Sequence, residues 1–208
     1  MKDLELILPR VMEKAAACPE PTALRHIRDA AIEFCRRTRV WREQDTFEIT
    51  TEGCEGLAPF LGTQIYEISH AAFTNDDCGD RPLDPVTMDW LDKERPRWRD
   101  QEGTPRYITQ SNPNTVRITP KAEGSLRLEL ILLPAIDTDQ LPDILIDTYA
   151  CEIADGAIAK VLMLPADWGN PGLAAAHAAM FDGHLGRFGN RVSRGQQRAL
   201  RRPRAQFI

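Results

Sequence analysis

The sequence predicts an α+β fold: a mainly helical bundle formed by the two ends of the chain, with an inserted antiparallel β layer and an extended C-terminal tail. Apolar residues recur at helical spacing near both ends. Between them, residues 44–134 contain short alternating segments rich in β-branched and aromatic residues, as strands are. A chain of 208 residues is long enough for one main domain. We therefore predict a single domain at 1–189 and a basic tail at 190–208.

Two helices are predicted ahead of the β region, at 3–17 and 22–39. The first has a helical stripe of apolar residues and is ended by two prolines, Pro19 and Pro21. The second is amphipathic, and its predicted buried stripe consists of Leu24, Ile27, Ala31, Phe34, Cys35 and Thr38.

The β region has five candidate strands, at 46–51, 64–72, 106–109, 115–119 and 125–133. The last three are separated by SNPN and PKAEG, which have the composition of turns, so we predict that they form a meander. In the fifth strand, leucines alternate with Arg127 and Glu129, which predicts one buried face.

Two further helices are predicted at 142–164 and 170–188. Pro165 ends the first, and the second begins with Asn170 as N-cap and Pro171 in its first turn. Helices from both ends of the chain can then close into one bundle, from which the strands project as a layer.

The composition excludes several classes of protein. The five cysteines are odd in number and include no CxxC pair, which argues against a disulfide framework or a zinc knuckle and favours a reducing compartment. The first residues lack the pattern of a signal peptide, and no apolar run approaches the length of a membrane span. We therefore expect neither secretion by that route nor a membrane-spanning segment.

Charge is distributed unevenly along the chain. The net charge is −5, yet residues 187–208 carry +7, which leaves −12 for the rest. The basic residues of this segment are Arg187, Arg191, Arg194, Arg198, Arg201, Arg202 and Arg204, and the chain ends in Phe207 and Ile208. The spacing of the first five would form one stripe on a helix, able to meet carboxylates with bidentate geometry. Two interpretations stay open: a segment that orders on a partner, or a disordered solubilising tail.

The motifs that mark catalytic sites are absent from the sequence, including GxGxxG, GxxxxGK[ST], HExxH and GxSxG. His177 and His184 lie seven residues apart with Asp182 nearby, but two histidines without a third ligand make a poor metal site. Asp143, Glu152 and Lys160 lie along one predicted helix instead of converging on a metal ion. The acidic run at 74–80 lacks the spacing of an EF-hand. No catalytic, cofactor or metal site is predicted.

Three stretches together resemble the head-to-tail adaptor, or connector, proteins of the tailed-bacteriophage neck. They are LRHIRDAAIEFCRRTRVWRE, the segment from TPRYITQSNPN to AKVLMLP, and WGNPGLAAAHAAMFDGHLGR with the arginine-rich tail after it. The resemblance runs in the same order from about residue 20 to the end. It implies a structural virion protein that is not an enzyme and needs no cofactor.

The resemblance also implies partners and a location. Such a protein is made in the host cytoplasm and resides in the virion neck, in a ring of twelve copies beneath the portal protein, with tail or nozzle proteins below. The tail residues 187, 191, 194, 198, 201, 202, 204, 207 and 208 would bind the portal, and genomic DNA would pass through the channel without specific binding. Other hypotheses are a tail-tube or tail-completion subunit, a nucleic-acid-binding regulator that uses the arginine stripe, and, more remotely, a metal-dependent hydrolase.

Overall fold

The computed structural model describes residues 1–50, 53–57, 60–75 and 78–192, and within them it confirms the predicted α+β class. These residues contain five α-helices, which are α1 (Leu8–Met12), α2 (Glu20–Thr38), α3 (Met88–Glu94), α4 (Asp143–Leu162) and α5 (Pro171–Val192). The ten strands in the same residues are β1 (Lys2–Asp3), β2 (Arg42–Ile49), β3 (Cys54–Gly56), β4 (Thr63–Asn75), β5 (Cys78–Pro82), β6 (Asp84–Pro85), β7 (Tyr107–Asn112), β8 (Thr115–Thr119), β9 (Gly124–Pro134) and β10 (Gln140–Leu141).

The chain divides into two compact units. The first unit comprises residues 1–41 and the chain from residue 133 onward, and the second comprises residues 42–132. All helices except α3 belong to the first unit, and most of the strands belong to the second.

Helix α4 is the centre of the first unit, where it contacts both α2 and α5. From Ile153 to Leu162 all its residues except Asp155 and Lys160 are buried. A helix that is apolar on most of its circumference must be covered on several sides, because burying apolar surface is the main favourable contribution to folding.

A glycine allows α5 to approach α4 closely. A Cβ added to Gly156 would lie 2.9 Å from the ring of Phe181, which is closer than carbon atoms approach each other in a packed core. Phe34 of α2, Tyr149 of α4 and Phe188 of α5 meet beside this contact, with ring centroids 5.0 Å apart for Phe34 and Tyr149 and 5.2 Å for Tyr149 and Phe188. Aromatic packing thus joins the three long helices.

The prediction of a helix over 3–17 is wrong. Lys2 and Asp3 instead pair with Leu141 and Gln140 as a two-stranded ribbon, and a 3-10 turn over Leu4–Leu6 follows. Only Leu8–Met12 is α-helical, with Pro9 in its first turn, where a proline's missing N–H costs nothing. The spacing of buried side chains at Leu4, Ile7 and Val11 suits a helix, but pairing with β10 decides the backbone.

The bounds of the C-terminal helix also need correction. Helix α5 runs to Val192, beyond the predicted end at residue 188 and into the segment predicted as a tail from residue 190. Its apolar face continues to the end of the predicted range, since Leu185 and Phe188 are both buried. Asn170 accepts a hydrogen bond from the Leu173 amide at 3.1 Å, as expected of the predicted N-cap.

The second unit contains two four-stranded sheets, with the orders β2-β9-β4-β5 and β3-β8-β7-β6. The printed pairings are antiparallel except for β6 with β7. The predicted meander is therefore wrong in its third strand, because β9 pairs with β2 and not with β8. Strand β9 is central in the other sheet, between β2 and β4, and its Leu126, Leu128 and Leu130 are fully buried.

The close contact at Gly156 predicts a loss of stability on substitution. We expect Gly156→Ala to lower the free energy of unfolding by about 1–2 kcal/mol, because overpacking at the Phe181 ring exceeds the helix-propensity gain of alanine. Gly183→Ala on α5 is the matched control, since a Cβ there meets no atom within 4 Å. Urea denaturation followed by circular dichroism measures both. Equal stabilities of the two variants would contradict this account of the helix contact.

Candidate assembly interface

The predicted portal-binding residues lie mostly outside the described part of the chain. Arg187 is exposed on α5, with its guanidinium carbon 5.7 Å from the centroid of the Phe188 ring. Arg191 follows one turn later in the same helix. The remaining predicted residues, Arg194, Arg198, Arg201, Arg202, Arg204, Phe207 and Ile208, fall outside the described residues.

In the sequence His177 and His184 lie near Asp182, but in the structure both histidines contact another carboxylate, that of Asp155. His177 Nδ1 lies 2.9 Å from Asp155 Oδ1, and His184 Nε2 lies 3.4 Å from Asp155 Oδ2. Asp182 is exposed, whereas His177 is buried. Asp155 lies on α4, so the cluster is a polar link between α4 and α5. The sequence signal for it is weak: one carboxylate within the otherwise apolar second half of α4.

This cluster does not have the geometry of a metal site. Within the residues that the structure describes, no group of three or more His, Cys, Asp or Glu side chains is arranged to hold a metal ion. Lys160 of α4 instead lies 2.8 Å from Glu33 of α2, an ion pair that joins these two helices. The polar groups around α4 therefore link helices to each other.

His26 is a buried histidine of a different kind. Among the described residues neither of its ring nitrogens has a hydrogen-bond partner, although Asp29 Oδ2 lies 3.6 Å from Nδ1. Burial lowers the pKa of His26, and the neighbouring Arg25 charge acts in the same direction. The lowered pKa keeps the ring uncharged at neutral pH, so His26 contributes to packing and carries no charge.

Exposed apolar side chains are frequent on the first unit. The large ones are Met1, Leu6, Ile136, Ile144, Met163 and Met180. Ile136 has 78% of its surface exposed, and Met163 has 65%. Large apolar side chains at these levels of exposure are typical of surfaces that another protein covers, when several occur together.

The second unit has its own exposed apolar residues and a groove. Leu61 is 98% exposed, and Tyr66 and Trp90 are also exposed. A groove of about 620 Å³ lies between β4 on one side and β6, β7 and the start of α3 on the other. Among the described residues that line it, the charged ones are Glu67 and Asp89, with no lysine or arginine.

The described part of the chain has no helix long and apolar enough to span a membrane. The described residues form a fold of mixed α and β structure that exposes several large apolar side chains and a groove.

The family follows from comparison with known proteins. The family model of the SU10 adaptor protein matches residues 4–206, nearly the whole chain, and the chain therefore belongs to that family. This confirms the resemblance to phage head-to-tail adaptors, and it makes the chain a structural adaptor of the phage virion. No curated protein matches the chain significantly in sequence.

The contact of Asp155 with the histidines of α5 predicts that Asp155 and Asp182 differ in their contribution to stability. We expect Asp155→Ala to lower the free energy of unfolding by about 1–2 kcal/mol, because the buried His177 loses its hydrogen-bond partner. Asp182→Ala, on the exposed side of α5, is the control and should leave stability within about 0.5 kcal/mol of the unmodified protein. Thermal denaturation of both variants measures this. A stability loss at Asp182 and none at Asp155 would contradict the assigned contact.

Proposed function

We propose that this protein is a head-to-tail adaptor that assembles as a ring beneath the portal, joins the capsid to the tail and leaves a channel for DNA. The observation that carries the proposal is the match of the adaptor family over residues 4–206. The ring, the portal contact and the position in the neck are the proposed refinements of that family membership.

The division of the chain into two compact units supports the proposed role as a ring subunit. We propose that the helices of both chain ends form one bundle and that residues 44–134 are an inserted β layer, within a single adaptor domain at 1–189. In support, α2, α4 and α5 contact one another, and residues 42–132 form a compact unit of their own. A ring needs two different surfaces on each subunit that fit each other under a closing rotation, and two units provide separate surfaces.

The basic tail is the proposed portal contact. Arg187 and Arg191 begin a run of arginines that continues through Arg194, Arg198, Arg201, Arg202 and Arg204 to the apolar pair Phe207 and Ile208. Guanidinium groups bind carboxylates through two parallel hydrogen bonds, which gives direction as well as strength. An acidic groove on the portal would suit this segment, and the two apolar residues would anchor its end.

The charge of the rest of the chain suits passage of DNA. Outside the last 22 residues the formal charge is −12, and like charges repel phosphates instead of retaining them. An acidic channel wall would therefore let DNA pass without specific binding. Twelve copies, and tail or nozzle proteins on the side away from the portal, follow from the resemblance to the neck adaptors.

Removal of the tail tests the portal contact. We expect a variant that lacks residues 193–208, the segment after α5, to lose most of its co-sedimentation with portal particles. The same variant should stay folded by circular dichroism, because it retains all the helices that the structure describes. Binding by the unmodified protein should weaken as salt rises from about 0.05 to 0.5 M, since ions screen charge pairs.

A matched pair of variants distinguishes the effect of arginine's charge on portal binding from the effect of its bidentate hydrogen bonding. Replacing Arg194, Arg198, Arg201, Arg202 and Arg204 by lysine keeps the charge and removes the bidentate fork, whereas replacement by glutamine removes both. We expect weakened binding with lysine and almost none with glutamine.

Unchanged portal binding by the truncated protein would show that the tail does not bind the portal. Self-assembly into tubes without portal would favour a tail-tube subunit, and salt-sensitive retention of DNA through the tail would favour a nucleic-acid-binding regulator.

A further inference from the structure

Strand β4 is paired along only part of one of its two sides. Its neighbours in the strand order are β9 and β5. Among the described residues, β5 pairs with β4 only at Ala72, Phe73 and Asn75, and one further hydrogen bond joins the Leu83 amide to the Ala71 carbonyl at 2.9 Å. In the part of the chain that the structure describes, the side of β4 away from β9 is therefore an open sheet edge ahead of Ala71.

A proline lies where pairing on that side would continue. The register of β5 on β4, extended by three residues, would bring Pro85 opposite Ser69. Proline has no backbone N–H, so it cannot donate a hydrogen bond to the Ser69 carbonyl. The chain joins β7 instead, where the Val86 amide donates to the Ile108 carbonyl at 3.0 Å. The sequence thus leaves this part of the β4 edge without β5 beside it.

The backbone groups of Ser69 are directed toward the open side. In an antiparallel strand the N–H and C=O of one residue point to the same neighbouring strand, and those of the next residue point to the other. Ala71 accepts its hydrogen bond from the β5 side, so Ser69, two residues earlier, presents its N–H and C=O on that side as well. The Ser69 hydroxyl instead donates to the Glu129 carbonyl of β9 at 3.1 Å. An open edge of this kind is a template for pairing with another chain.

The open edge forms one wall of the groove of about 620 Å³. Residues 66–71 of β4 line that wall, and β6, β7 and the start of α3 line the other. Six residues of a strand extend over about 20 Å, at about 3.3 Å per residue. The groove therefore has the length that a short extended peptide needs to lie beside β4.

The lining of the groove selects the side chains of a strand bound there. Its apolar residues suit aliphatic side chains, and they include Ile68, Leu83, Val86, Met88 and Ile108. The carboxylates of Glu67 and Asp89 suit lysine or arginine, because opposite charges across an interface favour the correct partner. Successive side chains of a strand point to opposite faces. The groove is thus complementary to a strand in which aliphatic and basic residues alternate.

We propose that the open edge of β4 binds an extended segment of another protein as an added strand. The N–H and C=O of Ser69 pair with the backbone of that segment, and Asp89 faces one of its basic side chains. In this mode of recognition main-chain hydrogen bonds give affinity, and pockets for alternate side chains give specificity. The contact goes beyond the proposed function, because neither the ring nor the arginine segment involves this groove.

A synthetic peptide tests the proposal on the unmodified protein. The probe is a fluorescent eight-residue peptide of alternating lysine and valine, and its matched controls carry glutamate for lysine or N-methylated backbone amides. We expect the probe to bind at least about tenfold more tightly than either control, because glutamate is repelled by Asp89 and N-methyl groups prevent strand pairing. Fluorescence anisotropy measures the three affinities. Equal affinities, or no binding of the probe at ~1 mM, would overturn the proposal.

Amide hydrogen exchange shows where the peptide binds. We expect saturating probe to slow exchange of the Ser69 amide at least about tenfold and to leave the His70 amide, on the β9 side, nearly unchanged. Nuclear magnetic resonance of the isotope-labelled protein measures both. Probe binding that leaves the Ser69 amide unprotected would mean that the peptide is not an added strand on β4.

Two pairs of variants test the same contact from the protein side. Ser69→Pro removes the pairing N–H and should weaken probe binding at least about tenfold, whereas Ser69→Ala keeps the N–H and should stay within about twofold. Asp89→Lys should weaken binding about threefold, with Glu94→Lys, on the same helix but outside the groove, as its control. Circular dichroism checks that each variant is folded. A folded Ser69→Pro variant that binds the probe as well as Ser69→Ala does would contradict the proposal.

Two further measurements separate this contact from its alternatives. Probe binding as described, by protein that fails to co-sediment with portal particles, would contradict the proposed function and leave this contact standing. Sedimentation velocity without peptide tests for a second copy on the same edge. Self-association that Ser69→Pro abolishes and Ser69→Ala keeps would mean that the occupant is another copy, and the proposed partner would then be wrong.

Discussion

The helical unit depends on one constraint, which is that other helices must cover the apolar surface of α4. Its second half is buried on most sides, so it is stable only between α2 and α5. Gly156 lets the Phe181 ring come close, and the rings of Phe34, Tyr149 and Phe188 join the three helices beside it. Because α2 precedes the strands and α4 follows them, this packing also brings the two ends of the chain into one compact unit. The basic segment after α5 therefore starts from a fixed helix.

Much of this fold could be predicted from periodicity, and the failures have a common cause. Helices α2, α4 and α5 were predicted from apolar residues and from local signals such as Pro165 and the Asn170 cap, which depend on the segment itself, although α5 runs past its predicted end. The segment 3–17 has a helical spacing too, but at its start Lys2 and Asp3 pair with β10, nearly 140 residues away in sequence, and a 3-10 turn follows. Strand β9 follows β8 directly, yet it joins the sheet of β2 and β4. Local patterns indicate that a strand exists and do not determine which strand it pairs with.

Surface features were less predictable than the core. The arginine tail is visible in composition alone, because its charge contrasts with the remaining chain. The loop at 95–106 contains both basic and acidic residues and therefore has the pattern of an ordinary solvated loop. Its distinction is that Asp92 is occupied by Arg99 and Trp98, which leaves Arg95, Arg97 and Arg106 without described partners. Likewise, the sequence places Asp182 beside the two histidines, but the carboxylate they contact is on another helix.

An adaptor of the phage virion must bind other virion proteins. In the assembly that we propose, the arginine segment would act toward the portal. The most direct test of the account is electron microscopy of the purified protein mixed with portal particles. The account predicts closed rings stacked coaxially on one face of the portal. Portal particles that remain bare, with the adaptor protein folded and in excess, would contradict it.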